Sequence, residues 1–376
     1  MKSVVAIVQQ PEGASAQSLS YDYYNIYLPM RALSERCSLF DFGALYRTTG
    51  KQAMNAAFLQ LVRDSRPDVV MVVPTRDEFA ESTIRAAGEV CPTVAYFHDD
   101  VWREEYAQHW AKYYTHVVTT DPRGESKFRE VGLTNAIYSP RGYNDAIYSP
   151  DPSVTQDLEV TFVGGFAPHR AWLVKRLRRA GIVVRCYGSG WSTATMHTWI
   201  GGQVRRRLRD AGVPIGIPPH GHISQEAMID VFRRSKINLN LSNSVSWDAR
   251  YLAASPRNVV HLMRSGKVKE QIKGRHFEIN GSGGFQLSYY VEGLEQCFSI
   301  GRELSIFVDI DDLVDKVRYY LKYDAERQLM AQRGLARAQR DHSINRRLAD
   351  ALIRAGVDIG HWASVVPVAV SRPSGG

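Results

Sequence analysis

Residues 67–74 read Pro67-Asp68-Val69-Val70-Met71-Val72-Val73-Pro74, five apolar side chains in a row between two prolines. A strand with one wet face alternates apolar and polar residues. An unbroken run marks a strand covered on both faces, as in a parallel sheet between helix layers. Residues 4–8 and 93–97 repeat the pattern, with shorter candidates at 39–42, 116–119 and 136–138. Helical signals at 21–36 and 51–65 fall between them, so this part of the chain is predicted to be α/β.

The pattern breaks over residues 140–157, where Ser-Pro-Arg-Gly-Tyr-Asn-Asp and Tyr-Ser-Pro-Asp-Pro-Ser form a natural linker. It then restarts. Strands are predicted at 158–163, 182–187, 237–241 and 305–308, and helices at 169–180, 225–235, 310–323 and 324–351. Two α/β units in succession predict two Rossmann-like domains with parallel sheets facing across a cleft. Their expected limits are 1–150 and 151–345, with 346–376 a helix end and a tail frayed from 362. A chain of 376 residues is too long for one ordinary core and fits two.

No apolar stretch approaches the roughly 20 residues that span a bilayer, and residues 1–8 read as a buried strand rather than a signal peptide. The expectation is a cytoplasmic protein, with peripheral membrane association compatible. Cys37, Cys91, Cys186 and Cys297 lie in or beside apolar segments without metal-ligand spacing, which predicts free thiols. His220 and His222 read as loop residues and not as a zinc site. A net charge of +8 favours anionic partners. Arginine-rich segments 170–179 and 205–209 are candidate patches for an anionic membrane surface or nucleic acid, against the alternative of solvated helix faces.

Ligands of open parallel sheets sit beyond the carboxyl ends of the strands. Val163-Gly164-Gly165 ends one strand before a helix, where glycine admits a ligand and the helix start favours phosphate; Arg170 lies in that first turn. Phe97-His98-Asp99-Asp100 ends another strand. There His98 suits a sugar contact, and Asp99 or Asp100 suits orienting it or acting as a base. Asp100 alternatively caps the segment that follows. Residues 266–298 join a basic run to Glu270, Glu278 and Gly281-Ser282-Gly283-Gly284. Cations and backbone N–H groups suit a pyrophosphate, and carboxylates suit sugar hydroxyls. Glu278, between Phe277 and Ile279, is costly to bury alone; it points to a ribose diol or to an internal pair with Lys273 or Arg275. Together these features predict a nucleotide-sugar site.

Lys273-Gly-Arg-His-Phe-Glu-Ile-Asn-Gly-Ser-Gly-Gly-Phe, followed by Tyr290-Val-Glu-Gly-Leu-Glu and Asp311-Asp-Leu-Val-Asp-Lys-Val-Arg-Tyr-Tyr-Leu, resembles the CgeB-like glycosyltransferases of spore maturation. Phe162-Val163-Gly164, Tyr187-Gly188-Ser189-Gly190-Trp191 and Ser235-Lys236-Ile237-Asn238-Leu239-Asn240 add to the likeness, which covers about residues 158–345. The resemblance implies the GT-B fold, with the donor bound mainly by the second domain and no metal or other cofactor. It also implies the E-x7-E pattern of retaining GT-B enzymes, with Glu278 on the ribose and Glu270 on the donor sugar. His98 resembles the first-domain histidine that touches that sugar. Gly164, Gly165, Gly188, Gly283, Gly284 and Phe285 join the donor-binding set, the last three through backbone N–H groups on the diphosphate. The chain departs from the pattern in having Gly281-Ser282-Gly283 before the turn and no Gly-Phe-Gly after Glu270.

The expected reaction is sugar transfer from a nucleotide-diphosphate sugar to a glycan, glycolipid or other polymeric acceptor, retaining by the resemblance. Lys273, Arg275 or Arg170 would stabilise charge on the leaving diphosphate; an inverting route would call on Asp99 or Asp100 as base. Competing readings are a transferase acting on nucleic-acid bases and a catalytically dead GT-B binding module. Asp99 and Asp100 are adjacent and lack the spacing of a DxD metal motif. Neither first strand leads into G-x-G-x-x-G, which argues against a dinucleotide-dependent dehydrogenase.

Overall fold

The computed structural model describes residues 1–10, 19–191, 223–243, 245–267 and 269–360. The chain forms two compact units, Met1–Ile147 with Asp341–Gly376, and Tyr148–Arg340. The arginines at 205–209, His220, His222 and the tail from 362 lie outside the described residues.

In the first unit, β1 (Lys2–Ile7), β2 (Arg36–Asp41), β3 (Val69–Val72), β4 (Thr93–Phe97), β5 (His116–Thr119) and β6 (Ala136–Tyr138) form one sheet in the order β2-β1-β3-β4-β5-β6. Every neighbouring pair is parallel. Val70 and Val72 point into a core with Phe42, Phe58 and Trp110. Val69 and Met71 point into a second core with Ile26, Met30, Leu348 and Leu352. Both faces are buried, which is why the run at 69–73 has no polar alternation.

Two expectations are corrected here. Residues 21–36 are not one helix: a π-helical stretch, Tyr23–Tyr27, leads into the short helix Leu28–Ala32, and β2 starts at Arg36. The helix predicted at 51–65 is present, and a further helical segment precedes it across a break at Gly50, the two together running Phe42–Ser65. The Asp41 carboxylate caps it by accepting from the Ala44 N–H at 3.0 Å, and Gly50, at φ +82°, kinks it. The second correction concerns the C-terminus. Residues 341–360 belong to the first unit and not to the second domain or a tail. The helix Ile344–Arg354 places Ile344, Leu348, Ala351 and Leu352 on a face buried beside β1 and β3. Gly142 lets the two segments meet, since a Cβ there would lie 2.7 Å from the His342 carbonyl oxygen.

In the second unit, β7 (Leu158–Val163), β8 (Val184–Tyr187), β9 (Ser235–Asn240), β10 (Gln286–Tyr289) and β11 (Ser305–Phe307) form a parallel sheet in the order β11-β10-β9-β7-β8. The strand β10 has no clear sequence signal. Phe162, Leu177, Leu239, Phe285 and Leu313 fill the core. The chain passes outward from β7 to β8 and then returns past β7 to β9. The topological switch therefore lies between β7 and β9, and a crevice is expected at their carboxyl ends. The four cysteines are free thiols. Among the described residues, no helix is long and apolar enough to cross a membrane.

Candidate functional site

At the switch point of the second sheet, β7 ends in Gly164-Gly165 and β9 continues into Leu241-Ser242-Asn243. Arg170 spans the gap. Its guanidinium donates to the carbonyls of Gly165 (2.8 Å), Ser242 (3.0 Å) and Asn243 (3.1 Å). Burial, with Arg275 adding repulsion, pulls its pKa down to about 9. The expected phosphate contact is thus corrected: the Arg170 donors are engaged in tying two strand ends together. Arg170→Ala should cost about 2–4 kcal/mol of stability in urea unfolding, because three carbonyls lose their donor. Arg170→Lys should recover little, since one ammonium cannot span the fork.

The Arg275 guanidinium donates to the Val163 carbonyl and lies against Gly164, where a Cβ would stand 2.3 Å from its nitrogen. Gly188, at φ +133°, packs on Gly164; a Cβ there would lie 2.5 Å from the Gly164 oxygen. These glycines close the strand ends against each other and against Arg275. The Lys273 N–H lies 2.9 Å from the His276 ring nitrogen at the start of the helix Arg275–Gly281.

Glu270 reaches the same edge. Its carboxylate accepts from the Asn243 amide, and the Ser242 hydroxyl, 3.4 Å from Asn243 Oδ1, orients that amide. Burial is the cause that pushes the Glu270 carboxyl up to about 8. Glu270 lines a cavity of about 310 Å³ with His169, Trp247, Asp248, Tyr289 and Asp309. Burial holds His169 down to about 4, so its ring is neutral, and its Nδ1 has no hydrogen-bond partner. The Arg250 guanidinium lies 3.4 Å from both Asp248 and Asp309. The wall is rich in hydrogen-bonding groups, and its two carboxylates, Asp248 and Asp309, share the Arg250 guanidinium. His169, Asn243 and Trp247 were not singled out from the sequence, although His169 and Asn243 follow the ends of β7 and β9.

Glu278 lies within the helix Arg275–Gly281, 3% exposed, and its Oε1 accepts from the Tyr148 hydroxyl at 2.8 Å. Gln225, first residue of the helix Gln225–Arg234, donates to the same hydroxyl. The glycine turn corrects another expectation. The Gly283 and Gly284 N–H groups donate to the Asn280 and Ile279 carbonyls, both at 3.0 Å, and Gly283 sits at φ +80°. They close the helix and lead into the amino end of β10, the sheet edge opposite the switch-point crevice. Phe285 is core, 4.5 Å from the Tyr320 ring. The Gly283 and Gly284 N–H groups are therefore engaged within the chain and not turned to a diphosphate. A larger cavity of about 610 Å³, lined by Pro150, Arg233, Lys236, Gly283 and Phe285, also opens on that amino edge.

In the first unit, His98 follows β4, and its Nε2 lies 2.6 Å from Asp22 Oδ1. Tyr21 packs edge-on to the ring at 5.3 Å. The Arg141 guanidinium donates to the His98 carbonyl and lies 3.5 Å from Asp99. Asp100 is buried and accepts from Thr119 Oγ1, Thr120 Oγ1 (2.9 Å) and Thr120 N–H (3.2 Å). Burial raises its pKa, and those hydrogen bonds oppose the rise. Its carboxylate fastens β4 to β5 and neither caps the following helix nor lies open as a base.

Of the arginine-rich helix Pro168–Arg179, Lys175, Arg178 and Arg179 are exposed, while Arg170 is committed inward.

The chain is similar over its length to several solved structures, at identities that speak to fold alone. HepE of Anabaena, solved with UDP and glucose, shares 12% identity at a TM-score of 0.60, covering 94% of this chain and 100% of that one. Sucrose-phosphate synthase of Thermosynechococcus elongatus shares 10% at 0.62, covering 94% and 99%. A glycosyltransferase of Rickettsia africae shares 10% at 0.59, covering 94% and 97%. No curated protein sequence matches the chain. Residues 170–353 match the family model described as "Glycosyl transferase-like", on a chain whose two Rossmann-like units have the GT-B fold.

Proposed function

We propose that the chain is a glycosyltransferase that takes a nucleotide-diphosphate sugar as donor, with the second unit holding the donor. The observation that carries this reading is the cavity at the carboxyl edge of β7, β9 and β10. Glu270, held by Asn243, and His169 offer hydrogen bonds there as neutral groups, which suits an uncharged sugar ring. The solved structure with UDP and glucose has the same fold, and the family model, over residues 170–353, takes in most of this unit.

In this reading the diphosphate lies towards Lys273 and Arg275, at the start of the helix that carries Glu278. Positive charge there stabilises the negative charge that grows as the sugar–phosphate bond breaks. No metal is required, and retention of configuration follows the Glu270 and Glu278 spacing of the CgeB-like resemblance. His98, oriented by Asp22, is the proposed first-unit contact to the sugar. Asp99 remains the candidate for a base, and an acceptor on a cytoplasmic or membrane-borne polymer fits the reading.

Nucleoside diphosphates and UDP-, GDP- and TDP-sugars test it directly. One base series should raise the melting temperature, since a ligand bound only to the folded state stabilises it by mass action, and its sugar should be slowly hydrolysed. Absence of both responses across the panel would end the reading.

A further inference from the structure

The helix Pro256–Arg264 turns its apolar side outward. Asn258 and Leu262, four residues apart, face in: the Asn258 amide donates to the Tyr251 carbonyl at 2.7 Å, and Leu262 is buried. At 100° per residue, Val259, Val260 and Met263 share another face. All three are exposed, Met263 by 81%, Val260 by 47% and Val259 by 39%. Arg257 and Arg264, seven apart and both exposed, run along the flank of that stripe. Lys267 and Lys269 follow, also exposed, so residues 251–269 carry four cations and no carboxylate. Trp247 is 73% exposed just before the preceding helix, Ala249–Ala253.

An apolar stripe with a rim of one charge sign narrows the choice of partner. A second copy of the chain would bring the same cations against themselves. An anionic bilayer accepts both parts at once, with acyl chains for the valines and methionine and headgroups for the arginines. The segment also leaves the Glu270 cavity at Trp247 and Asp248 and returns to it at Glu270.

We propose that the helix Pro256–Arg264 docks the chain on an anionic lipid bilayer, with Val259, Val260 and Met263 entering the acyl boundary and Arg257 and Arg264 holding the headgroups. This surface is distinct from the arginines of 170–179, and it stands whether or not the donor site is as proposed above.

The full chain, sedimented with vesicles of phosphatidylcholine alone or mixed with phosphatidylglycerol, provides the test. Binding is expected to the mixed vesicles only. Val260→Asp with Met263→Asp should lower it about tenfold or more, and Arg257→Gln or Arg264→Gln should each lower it about fivefold. The melting temperature should not fall, because the altered side chains are exposed. Three results would overturn the proposal: no sedimentation with either vesicle, unchanged binding by the variants, or a concentration-dependent dimer that the aspartate variant dissolves. The last would assign the face to a second copy.

Discussion

Glu278→Ala should weaken nucleoside-diphosphate binding by about tenfold to a hundredfold, the equivalent of losing a carboxylate that accepts from a ribose diol. The structure sets up a sharp control. Gln225 donates to the Tyr148 hydroxyl, which donates to Glu278, so an ordered chain of donors ends on this buried carboxylate. If Glu278 serves the ribose, Tyr148→Phe should leave nucleotide affinity within a few fold while Glu278→Ala loses it. If Glu278 serves only as the internal partner of Tyr148, neither variant should change affinity. Both would then lose about 1–3 kcal/mol of stability, the cost of a buried polar group left without its partner. Isothermal titration and urea unfolding on the same two proteins separate the cases.

Legibility in the sequence followed burial. The strands β1, β3 and β4 stand out because both faces are covered, which leaves no polar residue to interrupt the run. The segment 140–157 marked the boundary between the two units, which falls at Ile147 and Tyr148, but its proline, glycine and aspartate hid what its side chains do. Arg141 and Asn144 are nonetheless buried there, Arg141 bonding the His98 carbonyl and Asn144 the Tyr24 carbonyl at 2.7 Å. Composition cannot show that a polar side chain is satisfied by distant backbone. The glycine turn at 281–284 misled for a related reason. Glycine serves equally at a phosphate and at a left-handed helix end, and only the position of the turn on the amino edge of the sheet distinguishes them. Arg170 had the right neighbourhood and the wrong partner, since three carbonyls took the place of a phosphate. Asp22 and Tyr148 had no signal, each being far in sequence from the residue it meets.

Glu270→Gln should flatten the pH dependence of stability and hold donor affinity at high pH. The carboxyl of Glu270 lies near 8 in the folded chain against 4.5 for an ordinary glutamate, and burial is the cause. A raised folded value means stability that is fully present below about 4.5 and is lost as pH rises through about 8. The displacement caps the effect at about 5 kcal/mol; water access at the cavity mouth lowers the expected figure to roughly 2 kcal/mol. The glutamine variant keeps the neutral hydrogen-bonding shape and has no proton to lose, so urea unfolding at pH 9 should find it more stable than the parent. The functional consequence has the same sign. At neutral pH the protonated side chain both donates and accepts in a cavity with neutral His169. Above about 8 it becomes a partly buried anion beside the proposed diphosphate, so the parent's KM for donor should climb from pH 7 to 9 while that of Glu270→Gln stays level. A parent KM that stays level, or a variant that follows the parent's rise, would remove Glu270 from the sugar pocket.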